Sequence, residues 1–153
     1  MSADNAGEQT GPSGFGGWLT LVVIGQTLGP LVTVMGVLAS LPAYREMMLV
    51  PNGPVAVYGE VALNAAFLII QIIAVVAMYR RSRNYPRIFL CQWLAVIALV
   101  LGDALLVAEA LHLPVFQVLQ YMDVRRTLGS PIVAGLWTIY MFSSVRVRNT
   151  FTR

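Results

Sequence analysis

Four long apolar stretches, separated by short polar joints, constrain this chain more than any other feature. They run from about Trp18 to Leu41, Val55 to Tyr79, Ile88 to Leu111 and Ser130 to Val145. A helix that crosses the hydrocarbon core of a bilayer needs about 20 mostly apolar residues, and the first three stretches reach that length. The fourth is short and would have to borrow residues from either end. Because backbone groups in lipid must be paired within their own segment, we expect all four to be helices.

The composition supports a membrane protein. Of the 153 residues, 58% are hydrophobic and only 11% are charged, whereas soluble domains carry about 25% charged residues. We therefore predict an all-α fold, a polytopic bundle of four transmembrane helices. The predicted domains are a disordered polar tail over 1–16, a single transmembrane domain over 17–148, and a cytoplasmic C-terminal tail over 149–153.

The arginines predict the orientation, because all ten basic residues are arginines and most of them lie in the joints. Four lie between the second and third helices and three follow the fourth, against three in the two other joints. The positive-inside rule then predicts that both termini lie in the cytoplasm, with the protein in an inner (cytoplasmic) membrane. The residues of the predicted cytoplasmic basic surface are Arg80, Arg81, Arg83, Arg87, Arg146 and Arg148.

The two outward joints are longer than the inward one. The joint over 41–54 contains three prolines and the pair Asn52-Gly53, which predicts turns rather than one helix. The joint over 112–129 has apolar residues at helical spacing opposite polar ones. This pattern indicates a short amphipathic helix at the outer interface, between the third and fourth spans.

Polar residues form a stripe within the apolar runs of the second and third helices. At 100° per residue, Glu60, Asn64 and Gln71 share one face of the second helix. The third helix repeats the eleven-residue spacing with Gln92 and Asp103. Since the two helices are antiparallel, Glu60 and Asp103 fall in the outer half, and Gln71 and Gln92 in the inner half.

Three interpretations of Glu60 and Asp103 are open. Charged residues inside a membrane face a bundle interior or a wet cavity, so the two acids could form a proton- or cation-coupled site. They could instead contact a partner subunit or a lipid head group. The third interpretation is hydrogen bonding between helices that fixes their register.

The first helix carries Gly25, Gly29 and Gly36, and Pro30 lies among them. Small residues four apart allow helix backbones to approach closely in lipid. We therefore predict close packing along this face in preference to a hinge.

Several classes of function lack the residues they need. Cys91 is the only cysteine and His112 the only histidine, so we expect no disulfide within the chain, no metal site and no cofactor. No histidine base lies near Ser143 or Ser144, and the chain is predicted not to be an enzyme. Cys91 itself is expected to be a small buried apolar residue. No basic face with interleaved aromatic residues indicates nucleic-acid binding, so the predicted partners are the lipid bilayer and either another membrane protein or a second copy.

The two ends of the chain resemble a known family. Gly17-Trp18-Leu19 opens the first helix, and the last helix closes on a Trp-x-x-Tyr element followed by Ser-x-Arg-Val-Arg-x-Thr-Phe. This is similar to the bacterial four-helix membrane family catalogued as domain of unknown function 2569. Weaker matches are Glu60 with Asn64, the run Asp103-Ala104-Leu105, and Asp123 before the fourth helix. The residues of the family-like C-terminal element are Trp137, Tyr140, Arg146, Thr150 and Phe151.

The resemblance implies a four-helix inner-membrane architecture and no established activity. It also suggests that Arg146, Arg148, Thr150 and Phe151 act as one unit at the cytoplasmic surface. That unit is either an arginine anchor that reaches the head groups or a docking site for anionic lipid or an acidic partner.

Two hypotheses of function follow. The leading one is an uncharacterised, non-catalytic integral membrane subunit that assembles with or interacts with another membrane protein. The alternative is a small proton- or ion-coupled transporter that uses Glu60 and Asp103.

Overall fold

The computed structural model describes residues 11–121 and 124–152. Residues 1–10 of the tail predicted over 1–16 lie outside the described residues, as does Asp123. The described chain contains helices and no strand. In chain order the helices are α1 (Trp18–Ala39), α2 (Leu41–Met47), α3 (Gly53–Tyr79), α4 (Tyr85–Leu111), α5 (Val115–Tyr121), α6 (Val124–Ser143) and α7 (Val145–Thr150).

Three of these helices are long and apolar enough to cross a membrane, namely α1, α3 and α4. They confirm the first three predicted stretches. The fourth stretch is a shorter apolar segment, Pro131–Ser143, at the C-terminal part of α6. The helix itself begins at Val124, so residues assigned to the preceding joint belong to it.

Prolines mark where the helices begin. Each of three helices has a proline at its second residue: Pro42 in α2, Pro54 in α3 and Pro86 in α4. Proline suits that place because its fixed φ is already helical and the missing N–H would have no partner there. α4 ends at His112, which adopts a left-handed conformation with φ 53°.

The joint over 41–54 corrects one prediction. Instead of turns throughout, it begins with α2, and only residues 48–52 form turns. The return into α3 is tight: a Cβ at Gly53 would lie 1.7 Å from the carbonyl oxygen of Met47, so only glycine fits. This turn holds Tyr44 of α2, which is only 8% exposed, against the bundle.

The amphipathic helix predicted after α4 is present as α5. Its Val118 is buried against Ala104 and Ala108, which lie on the last turns of α4. Phe116, on the other face of α5, is 70% exposed.

α3 and α4 form the centre of the bundle, with α1 packed on α3 and α6 on α4. Two glycines receive leucines from the opposite helix. A Cβ at Gly59 would lie 2.8 Å from Leu106, and one at Gly102 would lie 2.9 Å from Leu63. The largest buried cluster lies where α7 meets the joint between α3 and α4; it includes Leu19, Ala74, Met78, Tyr85, Met141 and Val147.

Candidate functional site

A partly open cavity of about 740 Å³ lies between α1, α3, α4 and α6. Its size falls within the range of small-molecule sites, about 300–1,000 Å³. We call it the polar cavity because polar side chains interrupt its apolar wall. These are Thr33, Ser40, Tyr44, Glu60, Asn64, Gln71 and Gln92.

The two glutamines predicted to share one depth line this cavity together, but each bonds to α1. The hydroxyl of Thr33 donates to Oε1 of Gln71 at 3.0 Å. Nε2 of Gln26 donates to Oε1 of Gln92 at 2.9 Å. Gln26 and Gln71 are both only 5% exposed. Lipid offers no hydrogen-bond partner to a buried amide, so these bonds to other helices satisfy it.

The glycines of α1 serve different purposes. At Gly29 a Cβ would lie 3.4 Å from Nε2 of Gln71, which agrees with the predicted close packing. At Gly25 and Gly36 nothing lies within 4 Å of such an atom, so the packing prediction is wrong there. Both of these glycines line the polar cavity, and their missing side chains enlarge it.

A second, smaller pocket of about 170 Å³ contains both intramembrane acids. Glu60 of α3 and Asp103 of α4 line it, and we call it the acidic pocket. The hydroxyl of Tyr44 donates to Oε1 of Glu60 at 2.7 Å. Ser40, Tyr44 and Glu60 line both this pocket and the polar cavity, so they form the boundary between the two.

Tyr44 acts as a hydrogen-bond donor to Glu60 through its hydroxyl. Its burial, and then its bond to the Glu60 carboxylate, raise the pKa of its hydroxyl from 10.0 to about 12. The hydroxyl therefore keeps its proton throughout the physiological range. It can donate to Glu60 whichever charge that carboxyl carries.

Asn64 lies one turn beyond Glu60 on the same face of α3. Its Nδ2 donates to the backbone carbonyl of Glu60 at 2.9 Å. This bond holds the amide against its own helix, where it lines the polar cavity.

Gln26 and Tyr44 are among the site residues that the sequence did not predict, as are Thr33 and Ser40. Gln26 is a lone amide in the apolar run of α1, and its isolation there was the available signal. Tyr44 lies in the joint that was expected to form turns, and nothing in its local sequence connects it to Glu60.

The two ends of the described chain meet at the opposite end of the bundle. We call residues 11–17 together with 144–151 the terminal element. The N–H of Gly14 donates to the hydroxyl of Thr150 at 2.9 Å, and that hydroxyl donates to the carbonyl of Arg146 at 2.7 Å. Nη1 of Arg146 donates to the carbonyl of Ser13 at 3.4 Å. The guanidinium lies so close to Gly16 that a Cβ there would be 2.8 Å from Nη1.

Aromatic side chains fix this element to the joint between α3 and α4. The ring of Phe151 lies 4.5 Å from that of Tyr85, centroid to centroid, and 6.3 Å from that of Phe15. Phe15 also lies under the guanidinium of Arg81, at 5.4 Å. Within α6, Trp137 packs edge-on against Tyr140 at 5.9 Å.

The domain boundaries at 16 and 148 stay a prediction. Beyond the second boundary, Thr150 and Phe151 are only 3% and 4% exposed.

The predicted basic surface is divided: Arg146 is half-buried in the terminal element, whereas the other five arginines are exposed at the same end.

The terminal element contains three of the residues by which the sequence resembles a known family, Arg146, Thr150 and Phe151. A model of the family described as a protein of unknown function, DUF2569, matches residues 12–152. This chain belongs to the DUF2569 family. Neither the curated proteins nor the solved structures yield a match.

The family match covers both halves of the terminal element, the acidic pocket and the polar cavity of this DUF2569 member. Within residues 11–121 and 124–152, no three His, Cys, Asp or Glu residues group as metal ligands would. Cys91, expected to be buried, is exposed on α4. In a membrane an exposed side chain at this point faces lipid or another protein.

Proposed function

We propose that this DUF2569 member transports a small polar solute or cation across a membrane, and that Glu60 and Asp103 bind the coupling proton or ion. One observation carries the proposal: the two acids of α3 and α4 line a single pocket, and Glu60 also lines the polar cavity. A group that belongs to both spaces can couple occupancy of one to that of the other.

The topology we propose has four crossings. Residues of the N-terminal segment bond to α7, as the contact between Gly14 and Thr150 shows. A chain whose two ends lie at one end of the bundle crosses an even number of times, which makes α6 the fourth span. The 20 residues of α6 extend over about 30 Å, and the segment Pro131–Ser143 is its apolar part. The excess of arginine at this end supports a cytoplasmic location for both termini, in a bacterial inner membrane.

The polar cavity extends far enough to form part of a pathway. Gly25 and Gly36 line it and are eleven residues apart on α1, which corresponds to about 16 Å along the helix axis. That is about half of the hydrocarbon thickness. The acidic pocket continues from its end toward α2, on the side away from the termini.

The boundary between the two spaces responds to charge. Two carboxylates in one small pocket repel each other, so a proton or cation bound between them is favoured. While Glu60 is ionised, its bond from Tyr44 is charge-assisted and strong. Protonation weakens that bond and loosens α2 from α3, which opens the boundary when the coupling proton has arrived.

Carboxyl protonation is the direct test. Full-length protein would be studied by infrared difference spectroscopy between neutral and acidic pH, where protonated carboxyl groups give a distinct C=O stretch. The test variants are Glu60→Gln and Asp103→Asn. The matched control is Glu109→Gln, which removes an acid from the same helix as Asp103 but outside both spaces. We expect each test variant to change a signal that the control leaves intact.

Transport itself would be measured in proteoliposomes that contain a pH-sensitive dye, with a panel of small solutes added outside. A solute that is carried should produce a pH change with the wild type, reduced at least about tenfold in either test variant. Wild-type behaviour in the double variant, or infrared signals that do not depend on Glu60 and Asp103, would refute the proposal.

An assembly subunit is the second candidate function, and one feature of α1 favours it. Six of its apolar side chains are half exposed or more and repeat at alternating intervals of three and four residues, the spacing of a helix–helix seam. They are Leu21, Ile24, Leu28, Leu31, Met35 and Leu38.

Cysteine cross-linking tests this second function. In a Cys91→Ser background, Leu28→Cys should form a disulfide-linked dimer or link to a partner in native membranes. Ile69→Cys, at an exposed site on α3, is the control. A protein that stays monomeric in mild detergent and forms no link through position 28 would remove this candidate.

A further inference from the structure

A basic groove lies beside the terminal element and is separate from the polar cavity and the acidic pocket. It has a volume of about 400 Å³ and lies between the start of α4, the end of α6 and α7. Three arginines line it, Arg83, Arg87 and Arg148, and no acid does so within residues 11–121 and 124–152. The apolar part of its wall consists of Pro86, Met141, Phe142, Val147 and Phe151.

The three arginines differ from two others at this end of the bundle, Arg146 and Arg81, which make contacts within the chain. Arg146 bonds to the carbonyl of Ser13, and Arg81 lies over the ring of Phe15. Arg83, Arg87 and Arg148 make no hydrogen bond or ion pair with the part of the chain that the structure describes, and all three are exposed. Their guanidinium groups are available to a ligand from outside.

The groove has a rigid base. Met141, Val147 and Phe151 are 1%, 0% and 4% exposed, so the surface beneath the arginines is part of the packed core. Phe142, by contrast, is 49% exposed on the side of α6. A ligand could therefore place a charged head among the arginines and an apolar chain along Phe142.

We propose that this groove binds the head group of an anionic phospholipid. Arg87 lies in the first turn of α4, a candidate membrane span, and Arg83 lies just before it. Lipid phosphates occupy that level, at the ends of membrane-crossing helices. The planar guanidinium group binds phosphate oxygens through two parallel bonds. Basic pockets between membrane helices recognise anionic lipid head groups in this way.

Charge and shape together favour a lipid over a soluble phosphate compound. Among the residues that the structure describes, the groove is lined by three arginines and no acid, which favours a ligand with negative charge. Its exposed apolar wall favours a ligand that also has an apolar part. The adjacent bilayer also supplies a lipid at high local concentration, whereas a soluble anion would have to be captured from dilute solution.

The test measures how many lipids bind to the full-length protein, and how tightly, by native mass spectrometry from detergent. Dioleoylphosphatidylglycerol is the anionic probe and dioleoylphosphatidylcholine the zwitterionic one. The test variant is Arg87→Gln/Arg148→Gln. The control, Arg45→Gln/Arg80→Gln, removes the same charge from residues outside the groove.

We expect the wild type and the control to bind phosphatidylglycerol in preference to phosphatidylcholine. The groove variant should lose about tenfold or more in affinity for phosphatidylglycerol and lose the preference. Its helix content, followed by circular dichroism, should match that of the wild type. If it does not fold, the single variants Arg87→Lys and Arg148→Lys keep the charge but lose the planar fork, and each should reduce the preference.

Three results would overturn the proposal. One is equal loss of binding in the groove variant and the control, which would indicate general surface charge. Another is the absence of any preference for the anionic lipid. The third is full displacement of the lipid by inorganic phosphate, which would assign the groove to a soluble anion.

Discussion

The two ends of the helix bundle differ in how they use space. At the end that contains the terminal element, Tyr85 and Val147 are completely buried and Phe151 nearly so. At the α2 end, Gly36 faces open space and Glu60 lines two adjoining voids. The packed end holds the terminal element against the joint between α3 and α4, whereas the α2 end contains empty volume lined in part by polar groups.

This contrast separates stability from function. In a close-packed core, shortening a side chain lowers the free energy of unfolding, because it leaves a cavity. A region that already contains voids loses less stability from such changes. Its polar side chains line those voids, so their hydrogen bonds depend on particular partners. Substitutions should therefore affect the two ends in different ways.

The largest effect is expected at the packed end. Phe151→Ala should lower the free energy of unfolding by about 3–5 kcal/mol, because it leaves a cavity against Tyr85 and Phe15. Phe116→Ala, at an exposed site of α5, should change it little. Thermal unfolding in detergent would compare the two variants. Similar losses for both would show that the aromatic cluster does not carry the stability assigned to it.

Removal of a tyrosine hydroxyl should change the free energy of unfolding differently at the two ends. Tyr44→Phe removes a bond to the Glu60 carboxyl and should cost about 1–3 kcal/mol. Tyr85→Phe removes a buried hydroxyl that has no partner among the described residues, so stability should stay the same or rise by about 1 kcal/mol. Chemical unfolding of both variants measures the difference. Equal destabilisation by the two substitutions would contradict the distinction.

A smaller effect is expected at Gly36, at the α2 end. Gly36→Ala adds a methyl group into open space and should stabilise the protein by up to about 1 kcal/mol, since alanine favours the helix. Gly53→Ala, the contrasting variant, places the same atom against the backbone carbonyl oxygen of Met47 and should destabilise the protein by more than Gly36→Ala stabilises it. A melting temperature that falls for both variants would argue against a void at Gly36.

The smallest effect is confined to alkaline pH. The pKa of Tyr44 is raised in the folded protein from 10.0 to about 12, so the folded state holds this proton more tightly than the unfolded state. The resulting stabilisation is complete below pH 10.0 and is lost as pH rises toward about 12. Absorbance titration of tyrosinate in the wild type minus Tyr44→Phe isolates this step. A step near the ordinary value would show that Tyr44 is not buried against Glu60.

The apolar stretches were enough to predict the three long helices α1, α3 and α4, but not the joints, since α2 and the start of α6 lie in segments that were assigned to joints. Only a helix satisfies the backbone in lipid, so length and hydropathy decide the type of element without reference to neighbours. The same argument recovered the stripe of Glu60, Asn64 and Gln71, because helical periodicity is a property of one segment. The closing Trp-x-x-Tyr and Thr-Phe residues likewise mark the chain as a member of the DUF2569 family by sequence alone.

The partners of those polar residues were decided only by the tertiary structure. Gln71 and Gln92 could have bonded to each other, yet each bonds to α1, and Glu60 receives its bond from Tyr44 on a helix the sequence did not predict. Periodicity within one helix does not determine how that helix is rotated against the next. The rotation depends on packing such as that of Leu106 on Gly59, which involves residues far apart in the chain. For the same reason spacing predicted contact at Gly25 and Gly36, where the folded protein has a cavity.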